Sequence, residues 1–99
     1  MRVHITRPAV ADLEEIEAFI SQDDVLASAR LVEKLEERCL ALGNHPHMGR
    51  KRDYIKPGLR TVSEGNYIIC YRIQEEFVEI LRVLHGARNI EAILEGISD

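Results

Sequence analysis

No stretch of the sequence stays apolar long enough to cross a bilayer: its apolar runs cover only a few residues, against the roughly 20 that a membrane helix needs. The opening MRVHIT passes straight into a structured pattern and lacks the apolar core of a secretion signal. Cysteine is scarce. Cys39 and Cys70 sit in apolar patterns with no C-x-x-C or Cys/His spacing around them, so the expectation is two buried, reduced thiols in a cytoplasmic protein and not a disulfide or zinc framework. His45 and His47 flank Pro46 without a third ligand, and no metal is expected. There is no glycine-rich phosphate loop, no serine or cysteine with a nucleophile signature, and no repeat, linker or low-complexity segment. Nothing here calls for a cofactor or assigns a catalytic residue.

What remains is an ordinary globular composition, 45% apolar and 30% charged, in a chain of 99 residues. That length is one domain, residues 1–99, large enough for one modest core. The net charge of −4 is unevenly spread. Residues 50–60, RKRDYIKPGLR, carry five Lys/Arg and one Asp, whereas residues 1–49 carry five against nine and residues 61–99 three against seven. Overall acidity argues against a general nucleic-acid coat protein. One local basic segment still suits a nucleic-acid or acidic-protein contact.

The pattern centres on GNYIICYRIQEEFVEILRVLHGAR, from Gly65 to Arg88. It reads as two strands, 66–73 and Phe77–His85, rich in Tyr, Ile, Val and Phe. Neither alternates cleanly, as expected of strands covered on both faces. Residues 2–6 read as an opening strand. Thr6 or Arg7 then caps a helix with Pro8 in its first turn and Ala9, Leu13, Ile16 and Ile20 as its apolar stripe; Asp12, Glu14, Glu15 and Glu17 are expected mostly on the outer face. After a break at 21–24, Val25, Ala29, Val32, Leu35, Cys39 and Leu42 mark a second helix, stopped by Gly43 or Asn44 in a left-handed cap and then Pro46. Residues 45–57 read as loop, 59–63 as a strand, and Asn89 as the cap of a final helix with Ile90, Ile93, Leu94 and Ile97 inward. The order β-α-α-β-β-β-α predicts an α+β domain in which an N-terminal helical hairpin covers a small, mainly antiparallel sheet.

Chemistry could reside in a few places. His85-Gly86-Ala87-Arg88 pairs a histidine, able to act as a general base or phosphate partner, with an arginine able to clamp an anion. Arg60, Arg72 and Arg82 interrupt apolar strands and must find an anion or water; Glu64 and Glu79 are available inside the chain. Arg50, Lys51, Arg52 and Lys56 could grip phosphates, with Tyr54 to stack on a base.

The segments ITRPAVADLEEIEAFI, ALGNHPHMGRKR, PGLRTVSEGNYIICYRI and EILRVLHGARN together resemble the ParE branch of the RelE/ParE superfamily of toxin–antitoxin toxins over nearly the whole chain. The resemblance implies a poison of DNA gyrase that makes and breaks no bond itself. It also implies a ParD-like antitoxin partner in a hetero-oligomer, with no membrane partner. The RelE branch instead implies a ribosome-dependent messenger-RNA endonuclease. Against that branch, an active-site arginine falls at Ile68 and a C-terminal aromatic or histidine near Leu94; only Arg88 matches a catalytic arginine. On this basis Arg60, Arg72, Arg82, His85 and Arg88 are expected to contact the target, and Leu31 and Leu40, off the main helical stripe, the antitoxin. A relative that binds the antitoxin but is no longer toxic is a third reading.

Overall fold

The structure is a computed structural model describing residues 1–97. Its elements are β1 (Arg2–Ile5), α1 (Arg7–Ser21), α2 (Val25–Ala41), β2 (Arg50–Lys51), β3 (Leu59–Glu64), β4 (Tyr67–Ile73), β5 (Phe77–His85) and α3 (Ile90–Glu95). The expected α+β arrangement is present, with β2 as an additional strand inside what read as loop.

The helix starts follow from their caps. Thr6 holds extended backbone and its side chain accepts from the Ala9 N–H, with Pro8 in the first turn where no donor is lost. Asp24 accepts from the Ala27 N–H at 3.0 Å and starts α2. The end of α2 differs from expectation. Leu42 closes it in right-handed conformation and neither Gly43 nor Asn44 has positive φ. Glycine is needed at 43 for space: a Cβ there would lie 2.5 Å from the Met1 carbonyl oxygen and close to Val3. The stripe of α2 is also displaced from its reading. Val32, Leu35, Cys39 and Leu42 are buried, but Val25 is 69% exposed, and Ser28 is buried in its place. The Ser28 hydroxyl donates to the Glu17 carbonyl at 2.8 Å, fastening α2 to α1.

The sheet order is β1-β5-β4-β3-β2. β1 runs parallel to β5, with Arg2 opposite Phe77 and Ile5 opposite Ile80; all other pairs are antiparallel. β3 and β4 join through Gly65-Asn66, with Gly65 at φ +59°. A positive φ at only the first of two turn residues is the glycine-first pattern that matches strand twist. The central hairpin is covered on both faces, which explains its unbroken apolar runs. On one side Ile69, Tyr71, Val78, Ile80 and Val83 pack against Ala9 and Leu13 of α1 and Leu35 and Cys39 of α2. On the other, Leu59, Cys70, Leu81 and Leu84 pack against Leu94 of α3. Burying each such aliphatic side chain is worth about 1.5–3 kcal/mol.

β5 contains a bulge. Cys70 pairs with Arg82 but Tyr71 with Ile80, so β5 advances two residues while β4 advances one. The extra residue resets the alternation: Ile80 and Val83, three apart, both reach the hairpin-side core, and Leu81 and Leu84 both reach the α3 side.

Candidate docking corner

The five candidate contact residues separate into two groups. Arg60, Arg72 and Arg82 are committed inside the fold, at three different places. Arg60 Nη1 donates to the Gly49 carbonyl at 2.8 Å and the His47 carbonyl at 3.2 Å. Beside it the Tyr71 hydroxyl donates to the Pro46 carbonyl and accepts from the Gly49 N–H, both at 2.7 Å. Together they pin the loop after α2. Burial pushes the Tyr71 phenol above its ordinary range, partly offset by the Gly49 hydrogen bond and the Arg60 charge. Arg72 stands directly across from Glu79 and its Nε donates to Oε1 at 2.6 Å, with Gln74 donating to the same oxygen at 3.2 Å. Burial alone would raise the Glu79 carboxyl. The hydrogen bonds from Arg72 and Gln74, with the charges of Arg72 and His4, outweigh it and hold the group below its usual range.

Arg82 sits at the bulge. Its Nε and Nη2 donate to the two carboxylate oxygens of Asp12, each at 2.7 Å, and the Val83 N–H donates to Asp12 Oδ2 at 2.9 Å. The bulge takes this N–H out of the ladder, and a side chain of α1 satisfies it. The bond to Asp12 strengthens the protonation of Arg82 against the cost of burial. Asp12 is therefore not an outer-face acid, as its composition suggested, but 5% exposed and central. Its spacing carried the signal: three residues after Ala9 and four before Ile16, it lies on the apolar stripe. Arg72 and Arg82 accordingly face opposite sides of the sheet.

His85 and Arg88 are exposed. They project where β5 leaves the sheet. The Gly86 N–H donates to the Asn66 carbonyl at 2.8 Å, tying the strand end to the β3–β4 turn, and the Arg88 N–H returns to the His85 carbonyl at 3.0 Å. His85 Nδ1 accepts from the Ala87 N–H at 3.0 Å, which places the proton of the neutral ring on Nε2. The His85 ring meets Tyr67 edge-on, centroids 5.3 Å apart. The Arg88 guanidinium has no partner among the described residues.

Three shallow grooves meet at this corner. One, of about 340 Å³, runs from His85 and Arg88 past Tyr67 and Val83 to Asp12, Glu15, Ile16 and Phe19 of α1. Phe19 is 70% exposed there. A second, of about 320 Å³, lies on the other side of Arg88, among Arg52, Tyr54, Thr61 and Ile68. A small third one follows the β3–β4 turn to His85. Phe19 and Tyr67 were not among the expected contact residues, because only the fold brings α1 beside the end of β5.

The remaining candidates also find places. Lys56 is buried and its Nζ donates to the Ile97 carbonyl at 2.5 Å, so it holds the end of α3. Arg50 and Lys51 are exposed on β2. Leu31 is half-buried against the hairpin-side core, whereas Leu40 is 58% exposed in a groove shared with Glu17, Glu33, Glu36 and Glu37. Of the two positions aligned with the RNase branch, Ile68 is half-buried and lines the second groove. Leu94 is fully buried under the sheet. Cys39 and Cys70 are free and buried, and burial pushes both thiols up to about 12.

Comparison with known proteins agrees with this architecture. The model of the ParE toxin of type II toxin–antitoxin systems matches residues 3–90. Toxin ParE3 of Caulobacter vibrioides is 37% identical over 95 residues, covering 94% of each chain. Among solved structures, a chain of a chromosomal ParDE system from P. aeruginosa superposes with a TM-score of 0.73 at 24% identity, covering 86% of this chain and 95% of that one. A chain of the RelBE2 toxin–antitoxin complex of Mycobacterium tuberculosis superposes with a TM-score of 0.64 at 27% identity, covering 85% and 95%.

Proposed function

The chain belongs to the ParE toxin family of type II toxin–antitoxin systems, and from that premise we propose that it acts in the cytoplasm by docking on DNA gyrase and holding the cleaved-DNA complex. The observation that carries this reading is the corner itself. It presents an arginine without a partner among the described residues, an exposed histidine and two aromatic rings, Phe19 and Tyr67, around one groove. Arginine and aromatic side chains concentrate binding energy at protein interfaces. Cutting RNA by 2′-hydroxyl attack needs a proton acceptor, a proton donor and charge stabilisation at the phosphate. An isoleucine at 68 and a buried leucine at 94 provide none of these. In this reading His85 and Arg88 touch the target, while Arg60, Arg72 and Arg82 hold the strands that present them.

The partner is a ParD-like antitoxin in a hetero-oligomer. Its amphipathic tail lies in the groove at Leu40, a helix-in-groove mode, and wraps round α2 to reach Leu31 at the edge of the core on the other side. A RelE-type endonuclease is the second reading, favoured by Arg88 and by the likeness to the RelBE2 complex.

The test is purified gyrase with supercoiled plasmid. The expected result is loss of supercoiling and accumulation of cleaved DNA, reversed by the antitoxin and lost in Arg88→Ala, which still binds the antitoxin. Intact gyrase activity with transcripts cut at the ribosomal A site would establish the second reading instead. Expression without any growth defect would mark a relative that has lost toxicity.

A further inference from the structure

We propose that Lys56 is a positioning residue for the corner that bears His85 and Arg88, acting on it through α3. The inference rests on the reading of that corner as the target-contact surface and extends it to a side chain outside the contact. Lys56 lines none of the three grooves that meet there. Within residues 50–60, Arg50 and Lys51 are exposed and Arg52 and Arg60 half-buried, but Lys56 is buried, at 9% exposure. Taking an ammonium out of water is costly unless it finds acceptors. Here its Nζ donates to the Ile97 carbonyl at 2.5 Å. The Ile97 N–H in turn donates to the Leu94 carbonyl at 3.1 Å, so Ile97 belongs to the closing turn of α3. Carbonyls at a helix end lack partners within the helix and carry partial negative charge, which a cation complements.

The lysine stands on a fixed base. Its N–H donates to the Arg52 carbonyl at 3.2 Å, its carbonyl accepts from the Leu59 N–H at 3.0 Å, and the Arg52 N–H donates to the Leu59 carbonyl at 2.8 Å. The turn is thereby clamped to the start of β3. α3, by contrast, has six residues, too few to be helical alone. Asn89 accepts from the Ala92 N–H at its start, Leu94 is buried with Leu59, Leu81 and Leu84 in its middle, and Lys56 holds the chain beyond its end. Only Ala87 and Arg88 separate Asn89 from Gly86, which is tied to Asn66. The direction in which Arg88 leaves the backbone is therefore set jointly by β5 and α3. Leu94 is a pivot for the helix and not a clamp, because apolar contact has no preferred direction, whereas a hydrogen bond at the far end does. Freed there, α3 tilts about Leu94 and carries Asn89 and Arg88 with it.

The test is amide hydrogen exchange of the isolated full chain, read residue by residue by NMR, in the wild type and in Lys56→Met, which keeps a chain of similar length without the charge. Loss of one charge-assisted hydrogen bond should speed exchange at the Arg88, Ala92 and Ile93 N–H groups roughly 10- to 100-fold, while the amides of β4 and β5 keep their rates. Against gyrase, Lys56→Met should weaken inhibition, and its loss should not add to that of Arg88→Ala in the double variant. Antitoxin binding should be unchanged. Unaltered exchange at Arg88 overturns the proposal. So does an equal rise throughout the sheet, which marks a residue that only stabilises the fold, and so do additive losses in the double variant. Should circular dichroism show Lys56→Met unfolded, Lys56→Gln, which also lacks the ammonium, gives the same comparison. The exchange is read with no gyrase present. A wild-type chain inactive on gyrase therefore refutes the target reading, while the exchange alone decides whether Lys56 sets the corner.

Discussion

Replacing Asp12 with alanine should cost more stability than any exposed substitution in the chain. The carboxylate accepts two bonds from Arg82 at 2.7 Å and one from the Val83 N–H at 2.9 Å. Its removal leaves a guanidinium without its counter-ion and a bulge N–H without an acceptor. Breaking a buried pair from one side costs about 3–5 kcal/mol. The Arg82 side chain is 22% exposed against 5% for Asp12, so water recovers part of its solvation and about 3 kcal/mol is the better figure. For a domain of this size that is a fall in Tm of roughly 12–24 °C. Asp12→Asn, which keeps one acceptor for Val83, should lose about 2 kcal/mol. The double variant Asp12→Leu with Arg82→Met should recover much of the loss, because the orphaned charge is gone, though not the part due to Val83. Urea unfolding followed by circular dichroism reads all of these. A loss below about 1 kcal/mol for Asp12→Ala, or additive losses in the double variant, would show that the pair does not fasten α1 to the bulge.

Three further outcomes are expected. Gly49→Ala should lose about 1–3 kcal/mol in urea unfolding, because a Cβ there would lie 2.4 Å from the Tyr71 hydroxyl oxygen and push the side chain off the Gly49 N–H and the Pro46 carbonyl. Glu79, held below the ordinary carboxylate value of 4.5 by Arg72 and Gln74 despite its burial, binds protons less readily folded than unfolded. Its contribution is therefore complete above the unfolded pKa and lost as pH falls through the folded one, so acid unfolding should set in below about pH 4.5 with a slope that Glu79→Gln reduces. Cys39 and Cys70, buried with thiols pushed to about 12, should resist a thiol reagent in the native state at pH 8 and react within the mixing time in denaturant.

The sequence was legible where a single element carries its own signal. The bounds of β5 and the cap at Asn89 follow from composition and spacing, and Thr6 is one of the two cap positions read for α1. The alternation-free runs of β4 and β5 announced two covered faces, and both covers are there. Other features depend on contacts that no local window contains. β2 is two exposed residues long and exists only because β3 offers an edge, so no apolar pattern marks it. The parallel pairing of β1 with β5 joins strands far apart in the chain. The bulge shows only in the register, and with it the reason for an acid on the α1 stripe. The candidate corner was legible only in part. His85 and Arg88 stand out in a conspicuous tetrad. Phe19 and Tyr67 come to them from α1 and β4 through tertiary packing, and the internal partners of Arg60, Arg72 and Arg82 are likewise supplied by the fold.

The pairing of β1 with β5 has a kinetic consequence. Arg2 cannot meet Phe77, nor Ile5 meet Ile80, until the intervening hairpins exist to supply the partner strand. Closing so long a loop costs entropy before any ladder bond is returned. The β4–β5 hairpin, local and apolar, is the natural first event, and the leading strand docks late. Until it does, the outer edge of β5 stays open to any extended peptide that arrives first.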